Sequence, residues 1–116
     1  MNKEHFTLNS EVVNLILDLK SQFPENSLII SDVVDEEGHQ YIDIVQEGGG
    51  VLGIALLGYT YVLEKMGIRF LNIGGTSAGA INALLLAACG KPEEAKTEKI
   101  IEIITKKKIV YFYIKQ

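Results

Sequence analysis

Two glycine-rich segments, set one helix apart, constrain this chain more than any other feature. Gly48-Gly49-Gly50-Val51-Leu52-Gly53 follows Tyr41–Gln46, a run of β-branched and aromatic residues that reads as a strand. Gly75-Thr76-Ser77-Ala78-Gly79 follows Ile68–Ile73, a second such run. Between them Ile54–Met66 has helical spacing, with Ala55, Tyr59, Val62, Leu63 and Met66 turned inward and Gly67 closing it. Gly74–Thr76 reads as a tight turn, and Ser77–Cys89 as an Ala/Leu-rich helix ended by Gly90. Strand, helix, strand, helix in that order implies parallel pairing through a right-handed crossover. The second strand is apolar enough to be buried, as in a parallel sheet with helices on both faces. The expected fold class is therefore α/β.

The flanks add less. Ser10–Phe23 places Val12, Leu15, Ile16, Leu19 and Phe23 on one helical face, and Pro24 stops it. Leu28–Ile30 suggests a short strand, Asp32–Gln40 an acidic turn, and Pro92–Thr105 a further helix with proline in its first turn. The organisation is a lead-in segment over 1–40, a core unit over 41–105 and a tail over 106–116. With 47% hydrophobic and 22% charged residues, the 116-residue chain is not a disordered one. A net charge of −4 provides no general field for nucleic acid. The balance is uneven: residues 1–90 hold 4 basic and 11 acidic side chains, residues 91–116 hold 7 and 4. The single cysteine, Cys89, excludes an intrachain disulfide and any multi-cysteine zinc site, and no metal or cofactor is expected. No secretory signal precedes Ser10. Phe70–Gly90 runs 21 residues without a charge, but four glycines with Asn72, Thr76 and Ser77 break its first half. It reads as strand, turn and helix rather than a membrane span.

Both glycine segments stand where a strand ends and a helix opens. Glycines there let the backbone turn sharply, and N–H groups at a helix start suit an anion or oxyanion. Gly48–Gly53 also fits the dinucleotide spacing G-x-G-x-x-G. That reading requires an acid ending the next strand, where this chain has Asn72-Ile73-Gly74-Gly75. Gly75–Gly79 is G-x-S-x-G between a strand and a helix, the setting of a nucleophile elbow. The plainer account makes Ser77 a helix N-cap. Together the two segments put a nucleophile, Ser77, and backbone donors at one sheet edge, with room for a carbonyl between them.

The stretch Tyr41–Ala88 resembles the N-terminal half of a patatin-like phospholipase domain, and the helix after it is similar in place. The resemblance implies a truncated three-layer α/β sandwich and a serine acyl hydrolase of lipid esters: phospholipids, lysophospholipids or acylglycerols. It matches Ser77 to the nucleophile, Gly48, Gly49, Gly50 and Ala78 to the oxyanion hole, and Gly53, Gly75 and Gly79 to the motif positions. It implies transient contact with a membrane or micelle surface, from the cytoplasmic side by default. Leu52 stands where the family often has Arg or Lys. The family's base is an aspartate in a downstream Asp-Gly, and residues 78–116 contain no aspartate. Glu93, Glu94, Glu98 and Glu102 there read as a solvated helix face. His39 reads as an exposed loop residue, and Asp43, inside a strand, as a weak alternative base. The chain is thus expected to be catalytically incomplete, or a non-catalytic lipid- or anion-binding remnant; a nucleotide-binding module is the third alternative. A slip of reading frame near Lys106-Lys107-Lys108 would account for the apolar tail, which otherwise reads as an edge strand. An uncovered sheet edge predicts self-association.

Overall fold

β1 (Gln40–Glu47) and β2 (Ile68–Thr76) pair in parallel, from Gln40 opposite Ile68 to Glu47 opposite Thr76. The computed structural model describes residues 3–24, 27–48 and 52–106. Within them lie α1 (Lys3–Thr7), α2 (Ser10–Gln22), α3 (Leu52–Lys65), α4 (Ala78–Ala88) and α5 (Thr97–Lys106). The chain is α/β, with α3 as the crossover between two parallel strands. No helix among the described residues is long and apolar enough to cross a membrane. Phe70–Gly90 divides into β2 and α4, as its polar first half requires.

Alternation sets the two faces of the sheet. Ile44 and Gln46 of β1 are buried, while Asp43, Val45 and Glu47 are exposed. The inward face meets Leu57 of α3, Leu86 of α4, and Ile100, Ile101 and Ile104 of α5. The outward face, with Val45 at 82% exposure and Leu71 also exposed, is uncovered among the described residues. One irregularity interrupts the ladder. Ile42 opposes Phe70, but Ile44 opposes Ile73, so β2 carries one residue more than β1 there. Asp43 closes this bulge: its Oδ1 accepts from the Asn72 backbone N–H at 3.1 Å and from Asn72 Nδ2 at 2.8 Å.

The structure departs from the sequence expectations at four places. β2 does not turn at Gly74; it stays extended through Thr76, and the Gly48 N–H donates to the Thr76 carbonyl at 3.0 Å. Leu28–Ile30 is no strand. The Gln40 side-chain amide holds it instead, donating to the Leu28 carbonyl and accepting from the N–H groups of Ile30 and Ser31. α3 buries Leu57, Thr60, Tyr61 and Glu64, leaving Ala55 and Tyr59 outside. The helix is apolar nearly all round, so its pattern alone does not choose a face. Finally, α5 opens at Thr97 and not at Pro92. The buried Glu64 carboxylate accepts from the N–H groups of Lys96 and Thr97, and Thr97 Oγ1 donates to Thr60 Oγ1 at 3.0 Å. A carboxylate on these first N–H groups fixes where the helix starts. Residues 92–95 form a turn before it, closed by Glu94 N–H to the Lys91 carbonyl at 3.0 Å.

Candidate active site

Ser77 stands between the last residue of β2 and the first of α4, with φ 53° and ψ −128°. Among the described residues it is the only non-glycine with positive φ. An L-residue held there stores about 1–3 kcal/mol of backbone strain. The N-cap account does not fit, because the Ser77 side chain makes no capping bond to α4. The serine is exposed, while Ala78 beside it is fully buried. A strained, exposed serine at a strand-to-helix turn is the geometry that a nucleophile elbow requires.

The turn forms because glycines let three backbones touch. A methyl group on Gly48 would strike the Ala78 amide nitrogen, one on Gly79 the Gln46 carbonyl oxygen, and one on Gly75 the Gly79 carbonyl. β1 therefore presses directly on the first turn of α4. The N–H groups of Ala78 and Gly79 open that helix and have no acceptor within it. The Gly48 N–H is engaged with Thr76, so Gly48 contributes close approach and not a hydrogen-bond donor. Gly49 and Gly50 lie outside the described residues; Gly53 is the second residue of α3.

The acids and histidines fall elsewhere. Asp43 sits mid-strand with its carboxylate on Asn72, roughly 16 Å from Ser77 at about 3.3 Å per strand residue. The carboxylate nearest in register is Glu47, opposite Thr76. Glu94, Glu98 and Glu102 pair with Lys99, Lys65 and Lys106 at 2.9, 3.2 and 2.8 Å on the surface, the solvated face expected of them. His39 is not a free loop residue. Its Nδ1 lies 3.0 Å from Asp35 Oδ2 and its Nε2 lies 3.3 Å from Arg69 Nη2. A guanidinium only donates, so Nε2 accepts and Nδ1 carries the proton toward Asp35. Burial pushes the Asp35 carboxyl up. Hydrogen bonds from the His39 amide, the Tyr41 hydroxyl, the His39 ring and the Glu37 amide outweigh it and bring it down to about 2. This cluster lies at the opposite end of the strands, roughly 25 Å from Ser77 by strand length. Two cavities of about 410 and 510 Å³ share His39, Lys65 and Gly67 there, and neither reaches Ser77.

Comparison with known proteins bears on this edge of the sheet. Residues 44–113 match the family described as patatin-like phospholipase, which is more than half of the chain. The chain belongs to the patatin-like phospholipase family. A stretch of 48 residues is 58% identical to the uncharacterized protein YqhO of Bacillus subtilis (strain 168), covering 41% of this chain and 16% of that protein. The chain thus spans a small part of that relative's length. No solved structure matches. The patatin-like match takes in β1 from Ile44, α3, β2, α4 and α5, and so includes the strand-to-helix turn at Ser77. The patatin-like phospholipase match suggests a family of lipid hydrolases.

Sequence reasoning missed two residues of this patatin-like edge. Gln46 and Asn82 are buried, and Asn82 Nδ2 donates to Gln46 Oε1 behind the elbow. The available signal was the burial parity of β1 and the i, i+4 step from Ala78 to Asn82.

Proposed function

We propose that the chain carries the nucleophile and oxyanion loop of a serine acyl hydrolase acting on lipid esters, of the phospholipid, lysophospholipid or acylglycerol class. The observation that carries the reading is the Ser77 backbone, held at positive φ in an exposed strand-to-helix turn. Ser77 Oγ attacks the ester carbonyl carbon and the carbonyl oxygen gains the charge. The N–H of Ala78, with those of Gly49 and Gly50, receives that oxyanion, and one such donor is typically worth about 3 kcal/mol. The bond to the leaving alcohol then breaks, and the serine proton ends on the alcohol oxygen. Water hydrolyses the acyl-serine ester and restores the hydroxyl. Gly48, Gly75 and Gly79 bring the backbones together, and Gly53 completes the loop at the start of α3.

Proton transfer needs a base, and a hydroxyl attacks weakly without one. Residues 78–116 hold no aspartate, so the base is proposed to come from a segment outside this sequence. Alone, the chain retains at most about 10³-fold over water, from the hole and from binding. The substrate is met at a membrane or micelle surface, on the cytoplasmic side, with no cofactor. The second reading, a non-catalytic remnant that binds lipid or anion, is favoured by the same missing aspartate.

Labelling with a fluorophosphonate probe and turnover of a short-chain nitrophenyl ester test the reading. Slow labelling that disappears in Ser77→Ala is expected, with ester turnover close to background and regained when an Asp-Gly continuation is supplied. Labelling that persists in Ser77→Ala sinks the assignment. Lipid binding without any labelling supports the remnant. Robust turnover abolished by Ser77→Ala places the base within the chain, with Glu47 the first residue to replace.

A further inference from the structure

The inward side of β1 and the first turns of α4 meet along one line. Gly48 faces Ala78, and two residues earlier on the same face Gln46 meets Gly79 with its carbonyl and Asn82 with its side chain. Ala78 and Asn82 share a stripe of α4, four residues apart, and both are fully buried. The strand that leads into the glycine loop is therefore joined to the helix that follows Ser77 at two heights. One is a backbone contact with no side chain between, and the other is an amide–amide hydrogen bond.

That bond is a poor device for stability. Only half of each amide is engaged: among the described residues, Gln46 Nε2 and Asn82 Oδ1 have no partner, although both atoms are buried. A buried polar atom without a partner destabilises, and replacing both partners by apolar groups of similar shape can be neutral or better. A directional bond does what Met against Leu cannot: it has one best register. If α4 slides along β1, the Ala78 N–H moves relative to the glycine loop, and a misplacement near 1 Å at a reacting centre can cost about 10²-fold in rate.

We propose that the Gln46–Asn82 amide pair is a positioning device, fixing α4 against β1 so that the Ala78 N–H keeps its place beside Gly48 and the reacting acyl oxygen. The proposal rests on the serine-hydrolase reading. It makes Gln46 and Asn82 positioning residues that never touch substrate.

The test uses the whole chain and the fluorophosphonate probe, in which Ser77 Oγ bonds to phosphorus, fluoride leaves and the serine proton passes to solvent. In the double variant Gln46→Met/Asn82→Leu, labelling of Ser77 is expected to slow by at least about tenfold. Its melting temperature is expected to stay level or rise. The swapped pair Gln46→Asn/Asn82→Gln keeps an amide bond of the same total length and is expected to label within about threefold of the unmodified chain. Labelling at the unmodified rate in the apolar double variant overturns the proposal. Loss of its folded state does so too, because the pair is then a stability element. Where the unmodified chain itself is not labelled at Ser77, the hydrolase reading has failed and amide hydrogen exchange decides the rest. Faster exchange at Gly48 and Ala80 in the apolar variant, with α5 unchanged, upholds the positional role; unchanged exchange overturns it.

Discussion

The two ends of the parallel sheet are built on opposite principles. At the amino ends of the strands, Asp35, His39, Tyr41 and Arg69 bond to one another beside two cavities. At the carboxyl ends the described residues include no histidine; glycines, a strained serine and a helix start meet there. A search guided by pockets and histidine–carboxylate pairs selects the first end. Yet each polar group there is answered within the fold. Arg69 donates to the carbonyls of Glu64, Ile68 and Glu93 as well as to His39, which ties β2 to the end of α3 and the turn before α5. The second end instead holds Ser77 at positive φ, where ligands of open parallel sheets bind.

Arg69→Met probes the contrast most strongly. It removes the guanidinium from three carbonyls, of which that of Glu64 still accepts from the Gly67 N–H, and is expected to cost about 3 kcal/mol in chemical denaturation. Labelling of Ser77 in the fraction still folded stays unchanged; a fall there would mean that the two ends are coupled. Ser77→Gly is the converse at the other end. Glycine adopts positive φ without penalty, so a gain of about 1 kcal/mol is expected together with complete loss of labelling. No gain would mean that the Ser77 conformation is not strained. The smallest effect is electrostatic. The Asp35 carboxyl, held down at about 2, is lowered relative to its ordinary value near 3.9 in the unfolded chain. Its contribution is therefore whole above pH ~4 and disappears as pH falls through ~2. Melting temperature followed from pH 6 to pH 2 should fall less steeply in Asp35→Asn than in the unmodified chain. Equal slopes would detach Asp35 from the cluster.

What the sequence made legible was local. Strands, crossover and elbow could be read because glycine, β-branched runs and Ser77 announce them within a few residues. The inward face of α3 could not, since Leu56, Leu57, Tyr59, Tyr61 and Leu63 leave no polar side to orient it. Its buried face is chosen by Glu64, which turns in to hold the start of α5 across 32 and 33 residues of chain. The same need moved the start of α5 from Pro92 to Thr97. His39 read as a loop residue because Arg69, its partner, lies 30 positions away. Gln46 and Asn82 were invisible for the same reason, at a separation of 36. The proposed donors Gly49 and Gly50, and the tail from Lys107 on, lie outside the described residues.

The bulge opposite Asp43 has a consequence for parity. Side chains alternate along a strand, so one residue more or less reverses every side chain downstream of it. With the bulge between Phe70 and Ile73, Ile73 opposes Ile44; were the same residues paired without it, Asn72 would stand there and the sequence leading to Ser77 would present its other side. A deletion of one residue at Leu71 or Asn72 would restore regular pairing with Ile73 still opposite Ile44, whereas loss of the bulge with every residue kept would turn the serine's approach inside out. By clasping Asn72, Asp43 holds two residues of β2 against one of β1. A carboxylate that never nears the serine thus decides which way the serine looks.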